Sequence, residues 1–131
     1  MQPANSSKRP LGQQVELTLA RMKGTLAETT GVAELKRLRD RAEDLRRYCQ
    51  TNQLGRALEN QAAEVRLRAE RLAGQRLAEL NLRGGDRKSI HHDERLKLAD
   101  LGISRNQSTR WQQQARIPES AFEAYLRGCH L

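Results

Sequence analysis

The side chains between Ser104 and Gln113 combine hydrogen-bond donors and acceptors along one face of a predicted helix. Arginine can read guanine, and asparagine or glutamine can read adenine, at base edges in the major groove of duplex DNA. No acidic residue occurs between Leu101 and Pro118, so no side chain in this stretch repels phosphate. The residues that we expect to point outward and reach base edges or phosphates are Ser104, Arg105, Asn106, Thr109, Arg110 and Gln113.

The residues just before this face predict how it is positioned. A short apolar helix with Leu96, Leu98, Ala99 and Leu101 ends at Gly102, where a left-handed residue is needed. Ile103 fills the turn, and Ser104 with Gln107 three residues later forms a capping box for the next helix. A helix, a glycine turn and a capped helix together are typical of a helix-turn-helix. An ordinary corner between two helices gives the same pattern and stays open as an alternative.

A final helix is predicted from Pro118, a favoured first helical position, to Gly128. On the preceding helix Ser108, Trp111 and Ala115 are expected to point inward. The small core that supports the outward-facing residues is expected to contain Trp111, Phe122, Tyr125 and Leu126.

Upstream of these elements, apolar residues repeat at helical spacing. Residues 14–28 predict a first helix, and residues 32–51 and 54–82 predict two longer helices that each carry a narrow heptad seam. The short turn at Asn52 and Gln53 implies an antiparallel hairpin. Because the hairpin core is thin, we expect either the first helix or a second copy of the chain to pack on it. The predicted fold is all-α, a long coiled-coil-like antiparallel hairpin followed by a small helix-turn-helix domain.

Charged side chains on the hairpin allow two readings. Acidic residues such as Asp40 and Asp44 are expected to be solvated partners of nearby Arg41 and Arg47. The arginines of the last hairpin helix either serve only the structure or contact phosphates, and both possibilities remain open. These arginines are Arg66, Arg68, Arg71 and Arg76.

The segment 83–92 interrupts the helical pattern, because Gly84 and Gly85 exclude a continuous helix. It serves either as a flexible hinge or as a basic linker whose Arg87 and Lys88 contact the DNA backbone. The histidines that follow have no partner ligand at zinc-binding spacing, so no metal is expected. The predicted organisation is a disordered tail (1–12), a helical coiled-coil region (13–82), a linker (83–92) and a helix-turn-helix domain (93–131).

Composition narrows the functional class. The net charge of +8 suits a polyanionic partner, but the basic excess is spread along the chain and identifies no face. No catalytic motif is present, so we expect neither an enzyme nor a cofactor or small-molecule substrate. Cys49 and Cys129 have no metal or redox spacing and are expected to be reduced. No apolar run approaches the length of a membrane span, so a cytoplasmic protein without a membrane partner is expected.

Several stretches resemble a largely uncharacterised group of small proteins from phages, plasmids and integrated elements. These stretches are GGDRKS (84–89), LKLADLGISRNQSTRWQ (96–112) and IPESAFEAYL (117–126), with LKRLRDRAEDLRRY (35–48) and ENQAAEVRLRAER (59–71) upstream. Related segments precede adenine-methyltransferase domains, for which 131 residues leave no room. The resemblance implies helices and a helix-turn-helix similar to those of repressors and partition proteins, but no established activity. Leu98 and Ser108 depart from that motif, where alanine and isoleucine or valine are usual.

Two hypotheses follow. In the first, the chain binds double-stranded DNA, forms a homodimer through the hairpin, and regulates or maintains a mobile element. In the second, the hairpin is a coiled-coil adaptor for another protein, and the chain does not read DNA directly.

Overall fold

The computed structural model describes residues 10–80 and 98–129 of the chain. Within these ranges 87% of the residues are helical and there is no strand, so the all-α prediction is confirmed. The predicted linker at 83–92, with Arg87 and Lys88, lies outside the described residues, as does the tail up to residue 9. The helices are α1 (Leu11–Glu28), α2 (Val32–Thr51), α3 (Arg56–Leu80), α4 (Leu98–Leu101), α5 (Arg105–Arg116) and α6 (Glu119–Cys129).

Helices α2 and α3 lie against each other in opposite directions. Arg39 of α2 meets Glu70 of α3, and one turn later Glu43 of α2 meets Arg66 of α3. As the residue number rises on one helix it falls on the other, which is the signature of an antiparallel pair. The seam residues predicted for α2 and α3 face each other in the core, and the fully buried ones include Leu35, Ala42, Cys49, Ala62 and Val65.

Helix α1 covers the α2–α3 pair, which is the first of the two arrangements expected. Its apolar residues Val15, Leu19, Met22 and Leu26 are all buried in the same core. The helix begins at Leu11, three residues earlier than predicted, so Leu11 and Gly12 do not belong to a disordered tail. The carbonyl oxygen of Pro10 accepts a hydrogen bond from the amide of Gln14 and so starts the helical ladder.

Two other predicted boundaries are wrong by a few residues. Helix α3 begins at Arg56 instead of Leu54, because Gly55 has a φ of 109° and ends the turn in a conformation no helix contains. Helix α6 begins at Glu119, just after Pro118, and continues through Gly128 to Cys129. Gly128 therefore does not end it, which is consistent with the small cost of one glycine inside a helix.

Helix α5 packs on α3 and shares the core of the first three helices. Ile103 and Trp111 belong to one apolar cluster with α1, α2 and α3. Of the four residues expected in the small core that supports α5, Trp111, Phe122 and Leu126 are buried, whereas Tyr125 is 61% exposed, so the prediction is wrong for Tyr125. Phe122 is buried beneath the guanidinium groups of Arg68 and Arg71, 6.0 and 4.7 Å from the ring centre.

Candidate nucleic-acid interface

The outward face of α5 and its N-cap matches the sequence prediction. Ser108 and Trp111 are buried and turn the helix so that the opposite side faces solvent. The structure brings together on this exposed side six of the eight predicted site residues, namely Ser104, Arg105, Asn106, Thr109, Arg110 and Gln113. The other two, Arg87 and Lys88, lie outside the described residues.

The start of α5 is held by a full capping box. The hydroxyl of Ser104 accepts a hydrogen bond from the amide of Gln107 at 3.0 Å, and the side-chain oxygen of Gln107 accepts one from the amide of Ser104 at 3.0 Å. Gly102 has a φ of 72°, as a left-handed turn requires, and Ile103 is only 3% exposed. The predicted glycine turn, apolar plug and cap are therefore confirmed, and they fix the direction in which α5 leaves the turn.

The inner side of α5 is bound by a buried carboxylate that the sequence analysis missed. Glu70 is 3% exposed and accepts hydrogen bonds from Arg39 at 2.8 Å, Arg66 at 3.1 Å and Gln114 at 2.8 Å. These donors come from α2, α3 and α5, so one side chain ties three helices together. A charged acceptor with this many donors makes stronger bonds than a neutral pair. The tilt of α5 on the α2–α3 pair is thereby set.

Further contacts fix the C-terminal half of α5. Arg71 donates a hydrogen bond to the carbonyl oxygen of Gln114 at 2.8 Å. The guanidinium of Arg39 lies 5.8 Å from the ring centre of Trp111, within the range of a cation–π contact. The helix is thus held by apolar, polar and cation–π contacts together.

Four arginines of α3 already have partners in the protein, namely Arg66, Arg68, Arg71 and Arg76. Arg66 pairs with Glu43 and Glu70, and Arg76 bonds Glu79 and the carbonyl of Thr30. Arg68 forms a two-pronged ion pair with Glu123 at 2.8 and 2.9 Å and also bonds Glu64. The hydrogen bond to Glu123 raises the pKa of Arg68 above its usual range and the same bond lowers that of Glu123. These contacts favour the structural interpretation of the α3 arginines over phosphate binding.

The three arginines of α5 differ from these four arginines of α3. Arg105, Arg110 and Arg116 are exposed, and within the described residues none of them forms an ion pair. Their charges are therefore directed to solvent along one helix. An anionic ligand with regularly spaced charges would meet them without breaking an existing contact.

Comparisons of the chain with protein-family models, curated proteins and solved structures find no match. The resemblance to mobile-element proteins stays a prediction, and the α5 surface remains the candidate site.

A metal site and a membrane-spanning segment are two further possibilities for the described part of the chain. There, no group of three or more histidine, cysteine, aspartate or glutamate side chains could hold a metal ion. No described helix combines the length and apolar character that crossing a membrane would need. Cys49 is a free, buried thiol, and burial raises its pKa, whereas the side chain of Cys129 lies outside the described residues.

One sequence feature, a glycine inside α3, could have predicted where α5 docks. Gly74 lies inside the continuous helix α3, where glycine weakens a helix relative to alanine. An isolated glycine inside a helix often has a packing reason, and here that reason is the backbone of Trp111. Glu70 gave no comparable signal, because its position is flanked by other charged residues of α3.

Proposed function

We propose that this protein binds double-stranded DNA by placing the outward face of α5 in the major groove, with α4 and α5 acting as a helix-turn-helix. The observation that carries the proposal is the exposed row of hydrogen-bonding side chains from Ser104 to Gln113 on a helix whose other side is fixed to the protein. A major groove about 12 Å wide admits one α-helix. Arg105 and Arg110 form no ion pair within the described residues, so their positive charges are available to an anionic ligand.

Each side chain has a role in this proposal. Arg105 and Arg110 read guanine through paired hydrogen bonds, and Asn106 or Gln113 reads adenine. Ser104 and Thr109 contact phosphate oxygens and set the register of α5 along the groove. Arg87 and Lys88, which lie outside the described residues, are proposed to add contacts to the DNA backbone.

The fixed attachment of α5 supports this role. A reading helix must keep its side chains within a fraction of an ångström of the base edges. Glu70 and Trp111 hold α5 in place before any ligand arrives, so little conformational entropy is lost when DNA binds. A loosely attached α5 would have weakened the proposal.

The proposal includes a second copy of the chain. One short reading helix covers few base pairs, and helix-turn-helix proteins extend their sites by pairing two copies over half-sites about one helical turn apart. In line with the resemblance described above, we propose that such a cytoplasmic dimer regulates or maintains a mobile element.

The proposal can be tested by selecting bound sequences from random duplex DNA and measuring binding to the selected duplex by fluorescence anisotropy. We expect Arg105→Ala and Arg110→Ala to lose about 1–3 kcal/mol each on the selected duplex and to discriminate less against a scrambled one. Arg21→Ala is the matched control, because Arg21 is an exposed arginine on α1. Absence of duplex binding by the wild-type chain at low salt would contradict the proposal and favour the adaptor hypothesis.

A further inference from the structure

A groove lies between α1 and α2, far along the chain from the α5 surface. It has a volume of about 430 Å³ and an apolar floor formed by Val15 and Leu45. Leu11 and Tyr48 line it as well, and each remains 40% exposed. Large apolar side chains that are this exposed to solvent, and that are surrounded by polar groups, indicate a contact surface on a small domain.

The polar rim of this groove differs from the rest of α2. Arg41 and Asp44 line the groove, and neither forms an ion pair within the described residues. Every other charged side chain of α2 does form one. The members of those pairs on α2 are Glu34, Lys36, Arg37, Arg39, Asp40, Glu43, Arg46 and Arg47.

Arg41 and Asp44 belong to one exposed row on α2. Arg37, Arg41, Asp44 and Tyr48 follow one another at intervals of four, three and four residues, which places them along one side of the helix. The row contains two cations, one anion and one aromatic ring. When the row is paired with a reversed copy of itself, Arg41 falls opposite Asp44 and Arg37 falls opposite Tyr48. Such self-complementarity is what a two-fold symmetric contact requires, since each residue meets its counterpart from the opposite direction.

We propose that this surface binds a second copy of the chain, with α2 antiparallel to the same helix of the partner. With the two-fold axis midway between Arg41 and Asp44, Arg41 lies opposite the partner's Asp44, and Asp44 lies opposite the partner's Arg41. The same register places the guanidinium of Arg37, whose side chain is 67% exposed, opposite the partner's Tyr48. A guanidinium group placed over a tyrosine ring makes a favourable cation–π contact.

The contact also covers the apolar part of the groove. Leu11, Leu45 and the ring of Tyr48 would lose water when the partner helix lies over them. One helix pair with its flanking groove covers less area than the roughly 1,600 Å² of a standard interface. We therefore expect a reversible dimer whose population depends on concentration.

This inference rests on the dimer of the proposed function and locates its interface, but it can be tested without DNA. Lys36 and Arg39 of α2 point towards Gly102 and Trp111, on the side of the helix that carries α5. Arg41 and Asp44 point into the groove beside α1. The exposed row on α2 therefore lies on a different side of α2 from the one that faces α5. In the proposed dimer both copies keep their reading helices exposed.

Sedimentation equilibrium of the full chain over a range of concentrations, without DNA, tests the inference through charge reversal. In Arg41→Glu chains the symmetric contact opposes two carboxylates, and in Asp44→Arg chains it opposes two guanidinium groups. We expect each variant alone to dissociate at least tenfold more readily than the wild type. An equimolar mixture should recover dimer mass, because each mixed pair restores both opposite-charge contacts. The mixture is decisive because mixing leaves the contacts within each chain unchanged. Any recovered dimer mass must therefore come from contacts between the two chains.

Arg110→Glu is the control for the charge change, since it makes the same reversal on α5, and it should leave the dimer mass unchanged. Circular dichroism checks that the variants keep their helices. Should either reversal unfold the chain, Arg41→Gln and Asp44→Asn replace it and should weaken self-association severalfold. The inference is overturned by a wild-type chain that stays monomeric, by variants that dimerise like the wild type, or by a mixture that remains monomeric.

Discussion

Gly74 of α3 lies directly against the backbone of Trp111 on α5, so close that a Cβ atom at position 74 would overlap the Trp111 carbonyl group. The same Cβ would be 2.9 Å from the amide nitrogen of Gln112. Backbone atoms in the middle of a helix cannot move aside as a flexible side chain does. The absence of a side chain at position 74 is therefore what lets α5 dock, and with it the surface proposed to read DNA.

Gly74→Ala should destabilise the protein even though alanine favours helices. We expect a loss of about 1–3 kcal/mol in the free energy of unfolding, measured by urea denaturation, because α5 must shift away from α3. Gly24→Ala is the matched control, since Gly24 lies inside α1 with no neighbouring atom within 4 Å of an added Cβ. That variant should gain about 0.5–1 kcal/mol. Equal effects at the two positions would show that the Gly74 contact has no energetic importance.

Glu70→Gln should also destabilise the protein, since the substitution keeps the size of the side chain but removes the charge that Arg39 and Arg66 share. We expect a loss of about 1–3 kcal/mol in the unfolding free energy, because hydrogen bonds to a buried charged group are replaced by poorer ones. Glu79→Gln removes an exposed partner of Arg76 in the same helix, where the Glu79 side chain is 62% exposed, and should change stability by less than about 0.5 kcal/mol. A stability loss confined to Glu79→Gln would contradict this account of the buried network.

Glu43 should make stability depend on pH in the acid range. A hydrogen bond from Arg46 is the main reason that the pKa of Glu43 falls from its ordinary value of 4.5 to about 2. Because the folded state lowers this pKa, the ionised carboxylate of Glu43 stabilises the native protein fully above about pH 5. This contribution is lost as the pH falls towards 2. The stability difference between the wild type and Glu43→Gln should therefore be on the order of 2 kcal/mol at neutral pH and shrink between pH 5 and 2. A difference that stayed constant over this range would contradict the assigned pKa.

Ser104→Asp separates the stability of α5 from its proposed role. Aspartate is as good an N-cap as serine and its charge suits the start of a helix, so thermal unfolding should be nearly unchanged. Ser104→Ala, which cannot accept the hydrogen bond from Gln107, should lose about 1 kcal/mol. In duplex binding we expect the reverse order, with Ser104→Asp the weaker binder because its carboxylate faces phosphate. Similar DNA affinity in wild type and Ser104→Asp would place the nucleic acid away from the start of α5.

The parts of the structure that could be predicted from sequence are those that depend on neighbours in the chain. The bounds of α2 were predicted correctly from its apolar seam between Gly31 and Asn52, and the cap of α5 from Ser104 and Gln107. The exposed side of α5 followed from the spacing of Ser108 and Trp111. Periodicity and capping are local, so a single sequence contains what is needed to infer them.

The parts that could not be predicted depend on residues distant in the sequence. Trp111 and Tyr125 were expected to share the small core that supports α5, but Trp111 packs against α3 more than thirty residues away, and Tyr125 stays exposed. Asp44 was expected to pair with a neighbouring arginine, yet its neighbour Arg47 bonds Glu43 instead. Several arginines compete for each carboxylate on these helices, and only the packing of α2 against α3 decides which of them pair.

The proposed function requires DNA to lie on the outward face of α5. The most direct measurement is a heteronuclear NMR titration of the full chain with its selected duplex, following backbone amide and arginine side-chain signals. We expect the largest chemical-shift changes at Ser104, Arg105, Asn106, Thr109 and Arg110. These changes should become smaller as the salt concentration is raised. Shifts confined to the groove between α1 and α2, or no shifts at low salt, would contradict the proposed function.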